Sequence, residues 1–154
     1  MNNRLDILKY YAPIRKFYMV KYKLSPTKID MLLFLYSERY FDTEKYNEYK
    51  SLFPWNSANI SDLLRDDWVM VFRKGIQFKT RTIYCLSRKA NNMIVSLYRK
   101  LDGEEIPTEA YSNPLFLKNI PYTHRQYKNF IIKMNEYRRK KKLNDNLDLS
   151  GIYD

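Results

Sequence analysis

Apolar positions recur with helical spacing through most of the chain, and the exceptions mark its organisation. Leu5, Leu8, Tyr11, Ala12, Ile14, Phe17, Tyr18 and Met19 predict a first helix over residues 5–22. Pro13 lies inside it, either kinking it or marking its true start. Ser25 followed by Pro26 is a helix start, because the hydroxyl can cap and proline lacks an N–H that the first turn would leave unpaired anyway. Ile29, Leu32, Leu33, Leu35 and Tyr36 form the apolar face of this second helix, which ends near residues 37–39. Phe41 reads as an apolar linker residue. Asp42 or Thr43 caps a third helix to Leu52, with Tyr46, Tyr49 and Leu52 on one face and Pro54 blocking its continuation. Asn56 or Ser57 caps a fourth, with Ile60, Leu63 and Leu64 inward.

β-rich segments then replace the helical pattern, the first alternating poorly and the second with Ile83 and Cys85 opposite Thr82 and Tyr84. Trp68–Phe72 and Arg81–Leu86 read as two strands, joined by a loop that contains Gly75. Ser87 caps a fifth helix to about Leu101, with Ala90, Met93, Ile94, Leu97, Tyr98 and Leu101 inward, stopped by Asp102-Gly103. Pro107, Pro114 and Pro121 punctuate an irregular connection over 103–121, with one short helical turn near Pro114–Leu117. Thr123 caps a last helix over 122–143, striped by Tyr127, Phe130, Ile131, Met134 and Tyr137. The expected fold class is mainly α with a small β-hairpin wing. It is a winged helix-turn-helix core over 24–101, flanked by helices at 5–22 and 122–143, all in one domain of residues 1–143 with a loosely ordered tail at 144–154.

Charge gives this outline a direction. The 154 residues carry a formal net charge of +11, which favours polyanionic partners. Much of that excess also follows from a composition rich in Lys, Asn, Ile and Tyr, so the distribution matters more than the sum. Residues 1–72 hold 11 basic and 9 acidic side chains, whereas residues 73–100 hold 8 basic and none acidic. Residues 101–117 are acidic, residues 118–142 carry 9 basic groups against Glu136 alone, and the last segment is acidic again. The run Arg138–Lys142 has a plain account as cations suited to a helix C-terminus.

The outward face of the fourth helix carries Ser57, Asn59, Ser61, Asp62 and Arg65. Asn and Ser both donate and accept hydrogen bonds, which suits base edges in a major groove, although an ordinary solvated face reads the same way. Asp62, Asp66 and Asp67 oppose phosphate. The hairpin loop offers Arg73, Lys74, Lys79 and Arg81, with Phe78 at its tip; in a winged helix this loop reaches a minor groove or flanking phosphates.

The segments Leu24–Tyr36, Ser57–Leu64 and Thr82–Ala90 together resemble the MarR type of winged-helix regulator, over about half of the chain. The last resembles the strand-to-helix junction that the family writes as Leu-Thr-x-x-Gly. The resemblance implies a symmetric dimer built on the first and last helices, a fourth helix in the major groove and a wing in the minor groove. It implies Ser57, Asn59, Ser61 and Arg65 at the recognition helix and Arg73, Lys74, Lys79 and Arg81 at the wing. The chain departs from the pattern at Lys79-Thr80-Arg81, where the family has Asp-x-Arg, and at Ala90, where it has Gly. The expectation is therefore a cytoplasmic homodimer that binds double-stranded DNA sequence-specifically as a transcriptional regulator, a repressor by promoter occupancy. A small-molecule effector is not indicated either way.

Other chemistry has little to build on. Cys85 is the one cysteine, His124 the one histidine, and Gly75, Gly103 and Gly151 are the only glycines, so no metal cluster, cofactor loop or catalytic constellation is expected, and no enzyme. The longest apolar run, Met31–Tyr36, is far short of a bilayer span, and the N-terminus has no apolar leader core, so no membrane association is expected. Two rival readings remain. One is a winged-helix protein-interaction module in a polymerase, replication or virion assembly, which the acidic fourth helix favours. The other is single-stranded nucleic acid binding, which would require aromatics clustered on the surface.

Overall fold

The computed structural model describes residues 6–52 and 59–151. It is mainly helical with a small three-stranded antiparallel sheet. The chain divides into two compact units, one contiguous (Leu24–Ser96) and one discontinuous (Met1–Lys23 with Leu97–Asp154).

The contiguous unit runs α2 (Pro26–Glu38), β1 (Tyr40–Phe41), α3 (Thr43–Lys50), α4 (Ile60–Arg65), β2 (Val69–Arg73), β3 (Ile83–Leu86) and the first turns of α5 (Arg88–Leu101). Local chemistry sets its starts. Ser25 caps α2, its Oγ accepting from Lys28 N at 3.2 Å, with Pro26 at the first helical position. Asp42 caps α3 by accepting from Lys45 N at 2.8 Å. Ser87 Oγ accepts from Ala90 N at 3.1 Å and donates to Asp67 O at 2.6 Å, so one hydroxyl starts α5 and ties it to the turn before β2. Phe41 is not a linker residue: Tyr40–Phe41 is a strand on β3, and the sheet order is β1-β3-β2. The register sets Phe41 across from Tyr84 and Tyr84 across from Val71, and puts Tyr40, Cys85 and Met70 in a row on the opposite face. Ile29, Leu32, Leu35, Phe41, Tyr46, Leu63 and Ile94 are among the fully buried side chains of this unit.

The discontinuous unit holds α1 (Ile7–Tyr22), the last residues of α5, one 3-10 turn (Pro114–Phe116) and α6 (Tyr122–Ser150). Helix α1 runs through Pro13, which leaves the Lys9 carbonyl without its usual intrahelical donor. It lies antiparallel to α6: Lys9 sits over the Tyr137 ring and Lys16 over the Tyr127 ring. Ile14, Phe17, Ile106, Leu115 and Ile131 form its core.

Helix α6 corrects three expectations. Pro121 is its N-cap residue, so Thr123 sits inside the first turn and does not cap. The helix continues to Ser150, so residues 144–150 are not a loose tail. The cations Arg138–Lys142 consequently lie mid-helix, and the first of them is buried. Arg138 donates to the carbonyls of Lys100 and, at 3.1 Å, Glu104, with Tyr10 beneath its guanidinium. Asn135, also buried, pairs with both backbone groups of Ile106: Nδ2 donates to the carbonyl at 2.9 Å and Oδ1 accepts from the amide at 3.2 Å. Asn113 holds Pro107 O at 2.7 Å and the amide of Leu115 at 3.0 Å. The irregular connection thus has its buried backbone groups satisfied by side chains in place of a ladder. On its outer side Glu105 binds Arg139 through two contacts, at 2.5 and 2.8 Å, which hold its carboxyl below the usual range.

Candidate nucleic-acid interface

The hairpin β2–β3 is built to hold its loop in one shape. Antiparallel pairing from Val69–Leu86 to Val71–Tyr84 is broken by a bulge before Arg73, which pairs with Ile83. Beyond the bulge, Thr82 Oγ1 accepts from Gly75 N at 3.1 Å and Thr80 Oγ1 accepts from Ile76 N at 2.8 Å. The amides of Lys79 and Thr80 both donate to Ile76 O at 2.9 Å. Gly75 is required by a close crossing: a Cβ there would lie 2.4 Å from Thr80 O and 2.6 Å from Thr82 N. Phe78 takes a left-handed backbone, φ 62°, and its ring is 99% exposed.

The expected wing cations separate into two groups. Arg73, Lys74 and Lys79 are exposed, and none forms an ion pair among the described residues. Arg81 is held by two carboxylates, Asp42 at 3.3 Å and Glu44 at closer range. Its guanidinium anchors the returning strand to the start of α3. Asp42 is held below its ordinary carboxyl range, first by the Lys45 amide and then by Arg81.

The recognition-helix residues also differ in circumstance. Ser57 lies outside the described residues, as does Asn56, the other expected cap. Helix α4 is six residues long, and Asn59 is its cap: its amide donates to Asp62 Oδ2 at 3.3 Å and its Oδ1 accepts from Lys50 Nζ at 3.0 Å. Ser61 is exposed and available. Arg65 is 71% exposed but leans on Asp62 at 3.3 Å and Asp66 at 3.5 Å, and Asp66 also meets Lys28 at 3.5 Å. The carboxylates that oppose phosphate are therefore largely matched within the unit. Behind α4, Lys89 Nζ lies 3.9 Å from the Trp68 ring centroid and donates to Asp66 O at 2.8 Å.

A second feature went unread in the sequence. A cleft of about 690 Å³ opens on the sheet face that carries Tyr40, Cys85 and Met70, with Phe72, Arg39 and Arg88 along its walls. Trp68–Phe72 alternates poorly in sequence, and only the pairing of a two-residue strand brings Tyr40 onto the same face as Met70. Burial pushes the Cys85 thiol up. Among the described residues, no group of His, Cys, Asp and Glu could hold a metal ion, and no helix is long and apolar enough to cross a membrane. No family model, curated protein or solved structure matches the chain.

Proposed function

We propose that the chain is a winged-helix protein that binds double-stranded DNA and regulates transcription, repressing by promoter occupancy as a homodimer. The observation that carries this reading is the hairpin: a hydrogen-bonded loop offering three exposed cations with no ion pair among the described residues, directly after the order α2-β1-α3-α4 and in a sheet of order β1-β3-β2. Arg73, Lys74 and Lys79 contact phosphate or the minor groove, and Ser61 with Arg65 faces the major groove. Arg81 positions the hairpin through Asp42 and Glu44, and Asn59 caps α4; both act on DNA through geometry.

Binding to random duplexes across a salt series tests this. Affinity should fall linearly in log salt, and a combined Arg73→Ala/Lys74→Ala/Lys79→Ala variant should flatten the slope by roughly 2 to 3. Duplex affinity unchanged in that variant would sink the reading. Sedimentation with and without duplex checks the dimer.

A second reading is a protein-interaction module in a polymerase, replication or virion assembly. It is favoured by the exposed apolar residues Val71, Ile76 and Phe78 on the same hairpin. No duplex binding at low salt, together with loss of a captured protein on Phe78→Ser, would support it.

A further inference from the structure

The cleft on the sheet has no part in the duplex interface, yet its chemistry is specific. The rings of Tyr40 and Phe72, from the two outer strands β1 and β2, lie 4.6 Å apart at 46°, and each is more than half exposed (51% and 57%). Two large aromatic rings clustered in the open offer π faces to a planar group. Met70 and Cys85, paired across β2 and β3, also line the cleft. Arg39 and Arg88 stand on its walls, both exposed and neither in an ion pair among the described residues. Among the described residues, no Asp or Glu lines it. Arg39 moreover holds a left-handed backbone, φ 69°, at the end of α2, where glycine would be free of strain but would carry no guanidinium.

A flat apolar ring beside one or two anionic charges is the complement of this arrangement. We infer that the cleft binds a nucleotide unit, with its base stacked on Tyr40 and Phe72 and its phosphate held by Arg39 and Arg88. The volume suits one such unit at a time, since clefts of roughly 300–1,000 Å³ enclose ligands of that size. The unit can come from a single strand of DNA or RNA, or from a free mononucleotide. A duplex cannot supply it, because its bases are stacked and paired. The site is thus distinct from the hairpin cations and does not depend on the duplex reading.

Cys85, the only cysteine, lines the cleft and reports occupancy. The full chain should be alkylated with iodoacetamide at mildly alkaline pH, alone and with dTMP or with an oligo(dT) of about ten residues, within the range of single-strand site sizes. Protection by oligo(dT) alone identifies a strand; equal protection by dTMP identifies a free nucleotide. Either outcome supports the inference. Fluorescence anisotropy with labelled oligo(dT) then reads the rings and cations separately. Phe72→Leu, apolar but not planar, should weaken binding roughly tenfold, whereas Phe72→Tyr should bind as the parent does. Arg39→Ala/Arg88→Ala should lose binding and flatten its salt dependence.

Absence of Cys85 protection by both ligands would overturn the inference on the unmodified protein, whatever the variants do. So would equal affinity of Phe72→Leu and the parent. Protection of Cys85 by anionic vesicles or an acidic peptide but by neither nucleotide ligand would assign the cleft to another partner and overturn it too. The hairpin triple variant should leave oligo(dT) protection intact, which separates failure here from failure of the duplex proposal.

Discussion

Replacing Asn135 by Leu tests the idea that buried side-chain amides, rather than a ladder, hold the connection between α5 and α6. Leu keeps the branched outline of Asn and is somewhat larger, so the change opens no cavity while it removes both polar atoms. It leaves the amide and carbonyl of Ile106, a residue 1% exposed, without partners. Each orphaned buried group costs about 1–3 kcal/mol, so two should cost about 4 kcal/mol. That is a large part of the roughly 5–15 kcal/mol that holds a typical domain. In a chain of this length it corresponds to a fall in Tm of about 10 °C. Urea unfolding followed by far-UV circular dichroism gives the energy, and hydrogen exchange locates it, with protection falling across 102–121 and α6. Asn135→Asp sharpens the test. A carboxylate keeps an acceptor for the Ile106 amide but turns a lone pair toward the Ile106 carbonyl, so the folded state favours the protonated acid and raises its pKa. A group raised on folding stabilises below its unfolded pKa and loses that stabilisation as pH rises through the folded value. Asn135→Asp should therefore lie closest to the parent in acid and fall away toward neutral pH. A loss under about 1 kcal/mol for Asn135→Leu, with the Ile106 amide still protected, would refute the reasoning.

Gly75→Ala should force the hairpin crossing apart at a cost of about 2 kcal/mol, the range for overpacking, seen as faster exchange of the Gly75 and Ile76 amides and weaker duplex binding. Arg81→Ala should raise the Asp42 carboxyl only part of the way to its ordinary range, because the Lys45 amide is the larger cause; a carbon-detected titration of Asp42 reads this. Asp42 is a carboxyl depressed on folding, so its contribution stands above the unfolded pKa and is lost as pH falls through the folded one, and the Arg81→Ala protein should lose it at a higher pH. The His124 imidazole, lowered by burial and then by Lys16, should titrate below free histidine in proton spectra, and stability linked to it should fall as pH drops. Lys89→Ala should cost about 1 kcal/mol and shift the Trp68 emission, since the ammonium sits against that ring.

What could be read in advance was what neighbouring residues decide between themselves. Ser25-Pro26, Asp42 and Ser87 start helices through contacts three residues long, and all three starts were visible. Strand β1 was not, because two residues carry no period, and Tyr40–Phe41 is a strand only by pairing with β3. The far end of α6 was misjudged for a related reason. Five cations followed by a polar segment look like an ending, but Arg138 and Asn135 are buried polar residues whose partners lie in the connection some thirty positions earlier. Arg81 shows the same limit at the proposed interface: its charge was legible, and the two carboxylates that take it lie 37 and 39 residues upstream. Arg73, Lys74 and Lys79 are exposed and free of such partners among the described residues. The cleft lay beyond reach because it depends on strand register.

The division of the chain also orders events in time. One unit is an unbroken segment, whereas the other is assembled from both ends of the described chain. During synthesis the segment Leu24–Ser96 can close on itself while α6 is still being made. Helix α1, which emerges before that segment, must wait with its apolar face bare until more than a hundred further residues have been added. Chaperone capture and premature self-association should therefore fall on α1, and a circular permutant joining α6 directly to α1 should remove that waiting time by turning the most distant contacts of the chain into its most local ones.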